Sequence, residues 1–326
     1  MKFLAIETSC DDTSISIMDG YRPLSLITHS QVETHNQFGG VIPELASRLH
    51  SKNIFSLIET ALEDANVSIE EIEAVSVTKG PGLINTLQIG ITVAKTLSQV
   101  LEIPLYGINH LEAHMYSPFI GIPMPLKKSI VVIASGGHTI IGTLINNETK
   151  IYGESLDDAI GETFDKVGKM MGLSYPAGPI IDSIAKEGEL YDDLPKTNLP
   201  GYDFSYSGLK SYFNRKIETT SNKELLSFNL QTAAFDQLMR KIVKLSDETG
   251  INDIIVGGGV SNSTFFRNLT NDYPEMKFFF PKKKYTGDNA AMIGYTTYLK
   301  LQNKSLSKSD LTLDAKPSQK RKKHSN

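Results

Sequence analysis

The chain has 326 residues, of which 40% are hydrophobic, 21% charged and 8% aromatic, with a formal net charge of −4. That length allows roughly two domains of about 150 residues each, and the composition excludes disordered, collagen-like and coiled-coil chains. A single cysteine, Cys10, excludes an internal disulfide framework and fits a reducing cytosol. The N-terminus turns acidic after a short apolar stretch, unlike a signal peptide, and no run approaches the roughly 20 apolar residues of a membrane span. A cytoplasmic protein without membrane contact is expected. The net charge speaks at first against a nucleic-acid partner, but it is unevenly placed. Residues 315–326 (AKPSQKRKKHSN) hold five of the 33 basic residues and none of the 37 acidic ones, leaving a body of −9 with a +5 tail.

In chain order, residues 3–6 are apolar and residues 13–18 alternate with period two before Asp19-Gly20, a hairpin signal. From Pro43 the apolar residues Leu45, Leu49, Leu57, Ile58, Ala61 and Leu62 recur at helical spacing, with proline suited to the first helical position. Residues 74–78 read as a strand broken by Gly80-Pro81-Gly82, followed by a helix over about 83–101 and a strand over 105–108. Three prolines in residues 117–128 suggest a linker. The opening layout then recurs: strand 130–133, a small polar turn at 135–139, strand 140–145. Two similar hairpin starts predict a duplicated α/β domain. Residues 253–256 form a strand leading through Gly257-Gly258-Gly259 to a helix near Ser263, and a last helix spans 289–301. The expected units are residues 1–120, residues 128–288, a helix at 289–304 that packs back on the first unit, and an irregular, solvated tail at 305–326, basic from 315.

Hairpin loops rich in Ser, Thr and Gly suit a nucleotide's phosphates, because glycine lets backbone N–H groups approach an anion. None matches a Walker A or a Rossmann fingerprint; ordinary glycine turns are the other reading. His110 and His114 stand four apart, so on a helix both imidazoles leave one face and reach one metal ion. A pair of capping or partly buried histidines is the alternative. Glu112 lies about 200° round from His110, so the zinc-protease pattern is not met. Two histidines need a further ligand, and Asp288, before the last helix, is a candidate that could equally be that helix's N-cap.

These residues sit in a set of motifs: Glu7-Thr-Ser-Cys-Asp-Asp12, Phe38-Gly-Gly-Val-Ile-Pro-Glu-Leu-Ala-Ser-Arg48, Lys79-Gly-Pro-Gly-Leu83, the stretch from Lys95 to Met115, Ala134-Ser-Gly-Gly-His-Thr139, Gly161-Glu-Thr-Phe-Asp-Lys166, Tyr175-Pro-Ala-Gly-Pro179, Phe204-Ser-Tyr-Ser-Gly-Leu-Lys210 and Gly258-Gly-Val-Ser261. In this order they resemble the bacterial TsaD (YgjD/Gcp) family of tRNA N6-adenosine threonylcarbamoyltransferases, over nearly the whole chain. The resemblance implies an α/β actin-like ATPase (ASKHA) fold, two duplicated RNase H-like domains around a cleft. It implies one divalent metal, iron or zinc, on His110, His114 and Asp288. It also implies substrate contacts from Ile133, Ala134, Ser135, Gly136, Gly137, Asp165, Gly178 and Asp182. A family asparagine falls on Ser263 in an ungapped match, with Asn262 one residue early, so either can fill that role. Asp12 stands where the family usually has Glu, and Ala177 where glycine is commoner.

The implied reaction moves a threonylcarbamoyl group from threonylcarbamoyl-adenylate to N6 of adenosine 37, in tRNAs reading codons that begin with A, and releases AMP. An adenine nucleotide or the adenylate itself is then a substrate; the implied partners are tRNA, a TsaB paralogue, a TsaE ATPase, and TsaC as the source of the donor. The donor is already activated, so positioning, carbonyl polarisation and phosphate stabilisation are what the protein must add. Asp11 is the expected acceptor of the amine proton, with a turn-capping role as its alternative, and His138 is a second candidate base. Basic groups at Lys210, Arg215 and Lys216, at Arg240, Lys241 and Lys244, and at residues 282–284 are candidate phosphate contacts or solvated faces, and the tail is a candidate source of salt-dependent tRNA affinity. An actin-fold small-molecule kinase and a non-catalytic scaffold are the rival functions.

Overall fold

Residues 1–197 and 199–317 are described by a computed structural model. The chain divides into one unit made of Met1–Pro123 and the chain from Asp288 onward, and a second made of Met124–Gly287. In the first unit, β1 (Lys2–Glu7), β2 (Asp12–Asp19) and β3 (Arg22–Ser30) form an antiparallel meander. Two short-to-long helices follow, α1 (Val32–Asn36) and α2 (Pro43–Ala65). Then come β4 (Ala74–Gly80), α3 (Ile84–Val100), β5 (Leu105–Asn109) and α4 (His110–Tyr116). The sheet order is β3-β2-β1-β4-β5, with β4 parallel to both β1 and β5.

The second unit repeats that plan. Its strands β6 (Lys128–Ala134), β7 (Thr139–Ile145) and β8 (Glu148–Glu154) form the meander. After α5 (Ile160–Met170), α6 (Ala177–Ile184), α7 (Ser207–Thr219) and α8 (Lys223–Thr249) come β9 (Asp253–Gly257), α9 (Thr264–Leu269) and β10 (Lys277–Phe279). The order β10-β9-β6-β7-β8, with β9 parallel to β6 and β10, is the first sheet's order over again. A duplicated α/β chain is what the recurring hairpin pattern predicts. The third strand of each meander escapes that pattern: β3 carries Pro23 and is largely exposed, and β8 reads ETKIYGE. Both are edge strands, where charge and proline block further pairing and erase the alternation by which strands are recognised.

Period two explains how the first sheet is covered. Leu4 and Ile6 turn to one face and join Ile15, Ile17, Val75 and Val77 against Ile54, Ile58 and Ala61 of α2 and Leu87 and Ile91 of α3. Ala5 turns to the other face, where α10 (Ala290–Gln302) lies. That helix is buried from Ala290 to Thr297 and approaches so closely that a Cβ at Gly294 would lie 2.5 Å from Met18. Thr296 and Thr297 bury their hydroxyls by donating to the carbonyls one turn back. In the second unit, Ile130, Val132, Ala134 and Ile141 pack against an aromatic group in which Phe235 stacks on Phe266 at 4.7 Å. No helix among the described residues is long and apolar enough to cross a membrane.

Beyond α10 the chain is irregular and residues 305–317 are mostly exposed, but several of them are fastened to the first sheet. Ser309 donates its N–H to the Leu105 carbonyl at 2.8 Å and accepts from Gly107 N–H at 3.1 Å, so the strap closes the free edge of β5. Gln88 on α3 donates to Asp314, Lys316 N–H donates to the Lys79 carbonyl, and Leu313 fills the space that a side chain at Gly107 would need. Most of the basic tail, residues 318–326, lies outside the described residues.

Gly90 on α3 marks where that helix presses on the loop after β1: a Cβ there would stand 2.4 Å from the Thr8 hydroxyl, which donates to the Thr86 carbonyl. Elsewhere in a helix, Gly→Ala gains up to about 1 kcal/mol. Here overpacking, typically about 1–3 kcal/mol, outweighs it. Gly90→Ala is therefore expected to lower the melting temperature by several degrees in a thermal scan; an increase would show that the loop yields freely.

Candidate metal centre

Asn109, at the end of β5, accepts a hydrogen bond from Glu112 N–H at 3.0 Å and so starts α4 at His110. One helical turn then brings His110 and His114 together, both buried, with ring centroids 4.7 Å apart and an edge-on 86° angle. Glu112 points away from them and binds Lys300 of α10 at 2.7 Å, as its place on the helix requires. The third group arrives from the other end of the unit. Asn289, not Asp288, caps α10, accepting from Met292 N–H at 3.0 Å, while Ala290 N–H donates to Ser14. Asp288, one residue earlier, reaches His114 Nε2 at 3.0 Å and His110 Nε2 at 3.5 Å through a single carboxylate oxygen.

One donor atom from each of the three residues falls within 4.8 Å of the others. Two imidazole nitrogens and a carboxylate oxygen on one spot are a donor set that fits a divalent transition metal. Of the alternative readings, burial describes both histidines, whereas the cap of α10 is Asn289 and not Asp288.

The surroundings are strongly charged. Burial opposes a charge on His110, but the carboxylates of Asp288 and Glu7 outweigh it and push its pKa up to about 9. Burial dominates at His114, whose pKa is lowered. Asp11, on the same loop as Cys10, is held above the usual carboxylate range by burial and the charge of Asp288, against a hydrogen bond from Cys10. Asp12 rises to about 7, mainly through burial, and its Oδ1 is buried without a partner. His50 is tied to Thr13 at 2.7 Å and to the Cys10 carbonyl at 2.9 Å, which fixes the backbone that carries these acids.

The remaining expected residues lie in the second unit. Ile133 and Ala134 end β6, and Ser135 turns back to His138, whose carbonyl accepts from Ser135 N–H at 2.9 Å and whose N–H donates to Ser135 Oγ at 3.1 Å. Gly136 and Gly137 lie in this turn with open space where side chains would be, whereas Gly161 and Gly258 press on its backbone. Asp165 caps α6 by accepting from Ala177 N–H at 2.7 Å, and Gly178 lies in the first turn of that helix. Asp182, near its end, accepts from Thr264 N–H, Phe265 N–H and the Ser263 hydroxyl. Ser263 rather than Asn262 therefore joins Asp182, and it also caps α9.

In two of the basic groups expected to hold phosphate, every member but the exposed Arg215 is otherwise engaged. Lys210 pairs with Asp158, Lys216 with Asp193, Arg240 with Asp236 and Lys244 with Glu248. Lys241 is buried, donating to the carbonyls of Leu199 and Gly201. Acidic residues a helical turn away or in adjoining loops neutralise what reads as a cluster along the sequence; Lys282, Lys283 and Lys284 are exposed.

Sequence reasoning gave no role of their own to Glu7, Ser9 and Thr78. Glu7 is wholly buried and accepts from Ser9 N–H, the Thr78 hydroxyl and His110 Nδ1. A glutamate closing an otherwise apolar buried strand was the available signal, since such a charge persists only when paired.

The comparisons with known proteins concern the whole chain. A family model described as TsaD, tRNA N6-adenosine threonylcarbamoyltransferase, matches residues 23–295. A protein of that name from Caldicellulosiruptor saccharolyticus is 42% identical over 314 residues, 92% of this chain and 93% of the relative. Another from Thermosipho africanus is 40% identical over 332 residues, 97% of this chain and 99% of the relative. Among solved structures, full-length HypF in a phosphate- and nucleotide-bound form has a TM-score of 0.62 at 13% identity, covering 94% of this chain and 56% of HypF, a likeness of fold alone. With its two five-stranded sheets the molecule has the actin-like ATPase fold, and the chain belongs to the TsaD family of tRNA N6-adenosine threonylcarbamoyltransferases.

Proposed function

We propose that the chain forms threonylcarbamoyl-adenosine at position 37 of tRNAs reading codons that begin with A, taking the group from threonylcarbamoyl-adenylate. The observation that carries this reading is the convergence of His110, His114 and Asp288 within a chain of this family. Those three residues would hold the divalent ion, iron or zinc, both of which accept such a donor set. When bound, the ion supplies Lewis acidity toward an oxygen of the activated donor.

The protein's own groups account for the rest. N6 of the adenine attacks the carbamoyl carbon, the bond from that carbon to the phosphate oxygen breaks, and AMP leaves with the electron pair. Asp11 takes the amine proton: burial and the nearby Asp288 raise its proton affinity toward what a base at neutral pH requires. His138 is the second candidate for that role. Backbone N–H groups of residues 135–137, with Ile133 and Ala134 behind them, would receive the adenylate phosphate. Asp165, Gly178, Asp182 and Ser263, linked through α6 and the start of α9, would line the nucleoside. An anticodon loop is single-stranded, so unstacking the acceptor base costs little. A TsaB paralogue, a TsaE ATPase and TsaC as donor source are the proposed partners, and the cytoplasm the proposed site of action.

The test is to incubate the protein and these partners with threonine, bicarbonate, ATP and unmodified tRNA, then search for threonylcarbamoyl-adenosine by mass spectrometry. Product that depends on this chain is expected. No product beside a working control protein would sink the transferase reading, and phosphorylation of a free sugar or acid would favour the kinase.

A further inference from the structure

We propose that Glu7 is a positioning residue for the metal centre: it holds His110 in the tautomer that leaves Nε2 open to the ion. This rests on the reading that His110, His114 and Asp288 bind metal. Glu7 is 0% exposed and closes β1. Its carboxylate has three donors around it. Ser9 N–H donates to Oε1 at 2.5 Å, the Thr78 hydroxyl donates to Oε2, and His110 Nδ1 stands 3.1 Å from that same Oε2. A carboxylate engaged in this way only accepts, so His110 Nδ1 must carry a proton. Once the ring gives up its second proton, the Nε2 lone pair is the one left for the metal position, the arrangement in which a ligating histidine gives its other N–H to a carboxylate.

His114 makes the contrast. Its Nδ1 is buried and has no hydrogen-bond partner, so nothing there selects a tautomer. The Ser9 hydroxyl, 3.2 Å from His110 Nδ1, can donate as well as accept and cannot make the choice alone. Glu7 is thus the carboxylate that fixes a histidine at Nδ1, whereas Asp288, the other carboxylate touching the pair, faces the Nε2 atoms that the ion would take.

Glu7→Gln keeps the shape and removes that discrimination. The amide cannot satisfy three donors. Turned toward Ser9, its NH₂ would face a backbone N–H that cannot reverse. Turned toward Thr78 and His110, it meets a hydroxyl that can rotate to accept and an imidazole that can accept at Nδ1. The second arrangement is the satisfied one, and it leaves the proton on Nε2, where the ion must bind.

The experiment titrates metal-free protein with Zn²⁺ against a chelating dye at fixed pH, for the wild type, Glu7→Gln and Thr78→Val. Stoichiometric binding is expected for the wild type, about 10–100-fold weaker binding for Glu7→Gln, and a change within about threefold for Thr78→Val, which removes a donor to Glu7 but leaves His110 its acceptor. Glu7→Gln within about threefold of a wild type that binds would overturn the proposal, whereas a wild type that does not bind would overturn the metal site itself. Equal losses in both variants would make Glu7 a packing element and also overturn it. Should Glu7→Gln fail to fold, nitrogen NMR of the metal-free wild type above pH 9, where the His110 ring is neutral, decides: a proton on Nδ1 with a bare Nε2 is expected, and a proton on Nε2 refutes the assignment.

Discussion

Replacing His114 and Asp288 together by alanine is expected to abolish metal binding and to lower threonylcarbamoyl transfer by about 10³-fold, with tRNA affinity unchanged. A Lewis acid contributes several kcal/mol of transition-state stabilisation, and each 1.4 kcal/mol or so is tenfold in rate. The pair is chosen over the two histidines for a structural reason. Removing His110 would leave the fully buried Glu7 carboxylate without its cationic partner, and an orphaned buried charge typically costs about 3–5 kcal/mol. A His110 variant would thus mix lost catalysis with lost folding. Metal content by elemental analysis, turnover by mass spectrometry and tRNA binding by filter retention separate the outcomes. Transfer unaffected in a metal-free double variant would assign the chemistry to other groups.

The second large effect is on metal affinity as a function of pH. In metal-free protein, burial disfavours the imidazolium of His110, but Asp288 and Glu7 hold it to about pH 9. A metal takes only the neutral ring, so below that pH each ion bound displaces a proton. Affinity should therefore rise about tenfold per pH unit up to pH 9, close to 10³-fold from pH 6, and flatten above. His114, with its lowered pKa, adds no further dependence across this range. Stability runs the opposite way. Because the folded pKa lies above the unfolded value of about 6.5, the stabilisation from protonated His110 is complete below pH 6.5 and lost as pH rises through 9. Metal-free protein should melt lower at pH 9 than at pH 6.5, and the loaded protein should lack this decline. Competition titrations at several pH values test the first trend and thermal scans the second; a flat affinity profile would mean that His110 is already neutral.

Much of this was legible along the chain because it is encoded locally. The histidine spacing of one helical turn forces two imidazoles onto one face, and the repeated hairpin announces the duplication. What escaped was encoded across distance or against type. Glu7 acquires its meaning from His110, 103 positions away, and no periodicity links them. Strands β3 and β8 carry the charge and proline that protect sheet edges, the features that make a segment look like a loop. The lysines of α7 read equally as phosphate contacts or as a solvated face because their partners, Asp158 and Asp193, lie elsewhere in sequence. Residues 305–317 have no regular backbone, so only the three-dimensional edge of β5 shows what they bind.

The first unit is assembled from both ends of the chain, and this sets a schedule for its birth. Asp288 follows His114 by 174 positions, so at about 5–20 residues per second the carboxylate is made roughly 10–35 s after the histidines. During that interval the nascent chain exposes two imidazoles without their third partner and a sheet face without α10. A full donor set therefore requires the chain to be made through Asp288, and translation products that stop before it cannot assemble the set.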